Sequence, residues 1–176
     1  MTARGVALIA HPDTPCPEVE TVHVRVERAE TGGLRLKYTL TGDLQAVRIP
    51  PPGAGKRLDE LWRHTCFEVF LLGADGRSYC EFNFSPAGDW QAYDFRAYRD
   101  GGDPAAVDPP IIKRTDALGN LHLDIALSRT SLPAGQRLGL SAVIETGTGE
   151  ISYWALRHAP GKADFHHTDA FALELT

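Results

Sequence analysis

Trp62, His64 and Glu68 fall within one turn-to-strand segment, and Trp154, His158, Lys162 and His166 form a second cluster near the far end of the chain. Indole rings stack on the apolar C–H faces of a sugar, while carboxylates, amides and guanidinium groups take its hydroxyls. Asn83 and Arg96 add an amide and a guanidinium to the set, so the residue types suit a carbohydrate or a small polar ligand. Trp62 and Trp154 are the expected stacking walls, Glu68 and Asn83 the hydrogen-bonding groups, Arg96 a cross-sheet partner, and His64, His158, Lys162 and His166 rim groups. Two other chemistries draw on the same residues. Haem needs His paired with Met, Lys or another His; Met1 is the sole methionine, which leaves His64, His158, His166 and Lys162. A metal-dependent enzyme would need several of His64, Glu68, His158, Asp164, His166 and His167 to converge around an open position. Ser85 and Cys66 lack an activating motif. Ala159-Pro160-Gly161-Lys162 lacks the glycine spacing and the following Ser or Thr of a phosphate loop. The reading is therefore non-enzymatic, with no cofactor or metal expected.

The elements that must position these groups are strands, because alternation of apolar and polar residues marks a half-buried strand. Val22, Val24 and Val26 alternate with charged neighbours, Gly32-Gly33 turns the chain, and Leu34, Leu36, Tyr38 and Leu40 alternate in return. Val47 to Ile49 reads as a short strand stopped by three prolines, which cannot donate to a ladder. Leu58 to Arg63 has room for one helical turn. Leu121 to Leu127, Leu138 to Ile144 and Phe171 to Leu175 alternate as well, and Asp100 to Pro110 reads as a loop.

The most informative pair is Cys66 to Leu72 and Tyr79 to Ser85 around Asp75-Gly76, a strong hairpin signal for a type I′ turn with positive φ at both central residues. A loop centred there sets Leu72 opposite Tyr79, Phe70 opposite Glu81 and Glu68 opposite Asn83. One face then carries Phe67, Val69, Leu71, Cys80, Phe82 and Phe84, which is core. The other carries Cys66, Glu68, Phe70, Tyr79, Glu81, Asn83 and Ser85, a mixture of acids, an amide and aromatic rings that suits a concave binding surface. Arg96, on the next strand from Trp90 to Tyr98, is expected to join that face. Cys66 and Cys80 lie on opposite faces and should stay unpaired. About ten short strands without a helical period give an all-β fold, a two-sheet antiparallel β-sandwich of jelly-roll type.

Three stretches carry a family resemblance: Trp62-Arg63-His64-Thr65-Cys66-Phe67-Glu68-Val69-Phe70; Glu81 through Tyr93; and Tyr153-Trp154-Ala155-Leu156-Arg157-His158-Ala159-Pro160-Gly161-Lys162-Ala163-Asp164-Phe165-His166-His167. Together they resemble the DOMON-like proteins, which are similar to family 9 carbohydrate-binding modules. The resemblance implies a sandwich whose concave face or rim binds a sugar or, in other branches, haem. In the sugar-binding relatives two tryptophans clamp the ring and a glutamate six residues after the first bonds its hydroxyls, which points to Trp62 and Glu68 and leaves Trp154 for the second wall. The Glu81-Phe-Asn-Phe-Ser-Pro and Pro160-Gly-Lys-Ala-Asp-Phe-His-His stretches have no counterpart in those modules.

Composition limits the partners. A chain of 176 residues with 17 Gly and 12 Pro has little room for long helices, and buries roughly 70% of its unfolded surface, enough for one core. One domain over residues 1–176 follows. A net charge of −5 without a Lys/Arg-rich segment argues against nucleic acid and anionic membranes. The apolar run Val6 to Ala10 is too short for a span or a signal peptide, and the three cysteines show no Cys-x-x-Cys spacing, so a cytoplasmic location is expected.

Overall fold

The computed structural model describes residues 3–135 and 137–175. Twelve strands run in chain order as β1 (Arg4–Ala10), β2 (Val19–Arg28), β3 (Leu34–Gly42), β4 (Cys66–Leu72), β5 (Tyr79–Phe84), β6 (Trp90–Ala97), β7 (Asp100–Pro104), β8 (Ile111–Ala117), β9 (Asn120–Leu127), β10 (Arg137–Glu145), β11 (Ile151–Ala155) and β12 (Leu173–Glu174). All their pairings are antiparallel, and no helix of the described residues is long and apolar enough to cross a membrane.

Where two sheets were expected, the hydrogen bonds trace one open path, β7-β6-β5-β4-β10-β11-β1-β2-β3-β9-β8, with β12 set beside β10. The link is β1, whose Arg4–Leu8 segment pairs with β2 and whose last two residues pair with β11. The apolar alternation does mark the buried side chains of these strands. Val22, Val24 and Val26 of β2, Leu36, Tyr38 and Leu40 of β3, and Phe67, Val69, Phe82 and Phe84 of β4 and β5 share one buried cluster. Each large side chain removed from water there stabilises the fold by roughly 1.5–3 kcal/mol. Across this core the Tyr38 ring meets Phe67 at 5.0 Å, and its hydroxyl donates to the Glu68 carbonyl at 2.6 Å.

The predicted register of the central hairpin holds: Leu72 faces Tyr79, Phe70 faces Glu81, and Glu68 faces Asn83. Its turn is different. Gly73 and Ser78 close a four-residue loop in which Gly76 alone has positive φ, and Asp75 accepts hydrogen bonds from the Arg77 and Ser78 amides. Two- and four-residue loops with the same centre give the same register, so the error left the pairing intact.

Two other expectations change. Val47 makes an isolated bridge to Thr146, not a strand. The start of the Asp100 to Pro110 stretch is the bulged edge strand β7, with register shifts opposite Phe95. Gly101 (φ 124°) permits that bulge, because a Cβ there would lie 2.7 Å from the Asp94 carbonyl oxygen.

Candidate functional site

β4 is buried along its whole length, on both faces. The face turned away from the main core is covered in two ways. At one end Phe70 and Tyr79 pack with Phe171, Phe95 and Phe165 in a small aromatic cluster. At the other, the chain leaves Glu68 and Glu81 looking into a cavity of about 470 Å³, within the size range of small-molecule sites. Trp62, Tyr93, Phe95, Tyr153 and Phe165 supply aromatic walls, and Val143, Ala163, Gly102, Arg99 and His166 complete the lining.

Each wall has a local cause. Trp62 sits on a single 3-10 turn, Leu61–Arg63, entered through Glu60 in the left-handed region (φ 61°). The approach to this turn is fastened to β6 by Asp59, whose carboxylate accepts from Gln91 Nε2 (2.7 Å) and the Tyr93 hydroxyl (3.1 Å). Trp62 therefore stands 45% exposed at the cavity mouth, with the Arg63 guanidinium 5.2 Å from its ring. On the opposite side, Asp164 anchors the segment bearing Phe165 and His166 by accepting from the Tyr98 hydroxyl (2.6 Å) and Arg99 Nη2 (2.8 Å).

The floor is acidic. Glu68, 2% exposed, accepts from the Ser141 hydroxyl at 3.2 Å; burial first, then the charge of Glu81, pushes its carboxyl well above the ordinary range, with the Ser141 bond pulling the other way. Glu81 accepts from Asn83 Nδ2 at 2.8 Å; burial raises it to about 7 against the opposing Asn83 bond and Arg99 charge. The two acids are diagonal neighbours on adjacent strands, so they titrate as a pair.

His166 is neutral beside them, because burial and the Arg99 charge lower it to about 4. The Tyr79 oxygen accepts from the Arg99 amide (3.1 Å) and shares a second hydrogen bond with His166 Nδ1 at 2.8 Å. The other ring nitrogen, Nε2, faces Glu81 Oε2. That approach is 3.7 Å, too long for a hydrogen bond, and with a neutral ring it is not an ion pair either.

Of the nine predicted site residues, Trp62, Glu68 and His166 line the cavity, and Asn83 lies directly behind, opposite Glu68 and bonded to Glu81. The others are elsewhere. Trp154 pairs with Ala142 and points into the main core, whereas its neighbour Tyr153, opposite Val143, takes the cavity face. Arg96 falls on the wrong side of β6, since Glu81 faces Tyr93 and Tyr79 faces Phe95; it pairs with Asp100 in solvent. His64 Nδ1 bonds Glu145 at 2.8 Å, and Lys162 is exposed. His158 Nε2 meets the Ile9 carbonyl at 2.7 Å, with its ring edge-on to His11 at 4.8 Å, and so fastens its loop to β1. His11 itself is buried.

No protein-family model and no curated protein matches the chain. Among solved structures, one described as a "putative carbohydrate-binding protein" from Bacteroides uniformis ATCC 8492 is similar over 96% of this chain and 83% of its own, with a TM-score of 0.58 and 15% sequence identity. At that identity the likeness is one of fold, and the site has to be argued from its own residues.

Those residues include several that the strand reading missed. With Arg96 expected on the Glu68 face, alternation along β6 puts Tyr93 and Phe95 on the opposite one, whereas they pair beside Glu81 and Tyr79. Arg99 was hidden at a left-handed turn position (φ 51°) that no sequence pattern marks. Phe165 adjoins His166 within a stretch already singled out, and the Gly101-Gly102 pair signalled a close backbone approach beside the cavity.

Proposed function

We propose that this chain is a non-enzymatic binding domain that takes a carbohydrate or a sugar-containing small molecule in the cavity between Trp62 and Phe165. The observation that carries the reading is a single concavity in which aromatic walls surround two buried carboxylates. Sugar C–H faces would lie on the rings, and hydroxyls would reach Glu68 and Glu81. The described fold of the Bacteroides uniformis structure is consistent with this use. The finer assignment, a two-layer jelly-roll sandwich of the DOMON and family 9 carbohydrate-binding kind, rests on the Trp62-to-Glu68 spacing and on the packing of Tyr38 against Phe67.

The alternatives draw less support. Of the four candidate haem ligands, His166 alone lines the cavity, and its Nδ1 is engaged by Tyr79; Met1 lies outside the described residues. Among the described residues no three His, Cys, Asp or Glu side chains are placed to share a metal ion.

Calorimetric and glycan-array screening tests the proposal. A mono- or disaccharide should bind, and Trp62→Ala should weaken it at least about tenfold while leaving the fold intact, because the ring is half in solvent. Loss of folding in that variant, or cleavage of the bound sugar, contradicts the reading.

A further inference from the structure

The cavity floor is lined by two acids that have few hydrogen-bond partners. Glu68 receives one hydrogen bond, from Ser141, and Glu81 receives one, from Asn83. Asn83, opposite Glu68 and two residues along β5 from Glu81, is wholly buried, and its Oδ1 has no donor among the described residues. The neighbouring cation does not balance the acids, since the Arg99 guanidinium is 2.8 Å from Asp164. His166 contributes no charge, because burial and the Arg99 guanidinium keep its ring neutral. With no paired cation among the described residues, burial favours the protonated form of both acids, and a cation that enters between them lets them ionise and pair with it. The walls favour the same guest, because a cation is attracted to the π faces of Trp and Tyr within about 6 Å.

We propose that the ligand bears a protonated amine, seated between Glu68 and Glu81 and ringed by Trp62, Tyr93 and Phe95. An ammonium group brings three donors, and a charge that a neutral hydroxyl cannot supply. This inference rests on the carbohydrate reading and narrows it to sugars with a free amine.

Three disaccharides with one skeleton test it: the β-1,4 glucosamine dimer, N,N′-diacetylchitobiose and cellobiose, which carry ammonium, acetamide and hydroxyl at the same carbon. Tyramine serves as an amine without a sugar. By calorimetry at low salt, the glucosamine dimer should bind at least about tenfold more tightly than the other two sugars, with the advantage shrinking as salt screens it. In a variant carrying Glu68→Gln and Glu81→Gln the three sugars should converge to within about threefold. Cellobiose or the acetylated dimer binding as tightly as the glucosamine dimer overturns the ammonium inference and leaves the carbohydrate reading standing. Tyramine matching the glucosamine dimer supports ammonium recognition and overturns the carbohydrate reading. Binding by none of the four overturns both.

Discussion

Replacing Glu81 with Gln should make the protein more stable, and by an amount that grows with pH. Burial raises the Glu81 carboxyl from an ordinary 4.5 to about 7, so the folded chain holds this proton more tightly than the unfolded chain does. Stability linked to the group is therefore intact below pH 4.5, declines as pH rises from 4.5 to about 7, and is flat above. At roughly 1.4 kcal/mol for each factor of ten in proton affinity, the ionised carboxylate costs the native state about 3 kcal/mol at pH 8.5 and about 1 kcal/mol at pH 5. Gln keeps the shape, can still accept from Asn83 Nδ2, and has no charge to desolvate. Its advantage over the wild type should widen by about 2 kcal/mol between those two pH values, equivalent to roughly 4–8 °C in melting temperature for a chain of this size. The opposing behaviour of His166, which is lowered to about 4 and so destabilises the fold as pH falls from 6.5, is common to both proteins and cancels in the difference. Urea titrations followed by tryptophan fluorescence supply the numbers. Parallel stability curves for the two proteins across this range would falsify the claim that a buried, uncompensated acid pair lies under the cavity.

The remaining predictions concern residues that the structure moved. Trp154→Ala should cost about 3–5 kcal/mol in chemical denaturation, since it empties a core position; a stable variant that no longer binds sugar would restore Trp154 as a wall of the site. Arg96→Ala should leave both melting temperature and sugar affinity unchanged, because the side chain and its partner Asp100 are solvent-exposed; a measurable loss of affinity would place it in the site after all.

Strand alternation was enough to set the register of the β4–β5 hairpin and to separate its core face from its acidic one. It worked there because Asp75-Gly76 fixed the centre of the turn, and the side-chain period of two did the rest. The same period misled on β6, and on β11 Trp154 is singled out by residue type and resemblance with no register to place it. Without a turn to anchor the register, Arg96 and Tyr93, or Trp154 and Tyr153, differ by a one-residue parity that reverses the face. The longer-range cover was not legible at all. Nothing in the spacing of Asp164 and Arg99 announces that they meet, since the contact joins a left-handed turn to a loop through charge and not through periodicity. The aromatic excess on the Glu68 face was visible, yet part of it, Phe70 and Tyr79, serves packing against Phe171.

The seam made by β1 has a consequence for how this molecule is made. Ile9 and Ala10 find their partners in Ala155 and Trp154, and β4 finds its neighbour in β10, so strands produced early wait for strands produced late. During synthesis β1 can pair with β2 at once, but the second edge of β4 stays open until β10 is made, and the last residues of β1 until the ribosome has passed residue 155. Open edges recruit other strands, and pairing between distant segments closes slowly. A chain stalled before β10 would thus expose both borders, and the late strands that complete the sheet are the ones that close them.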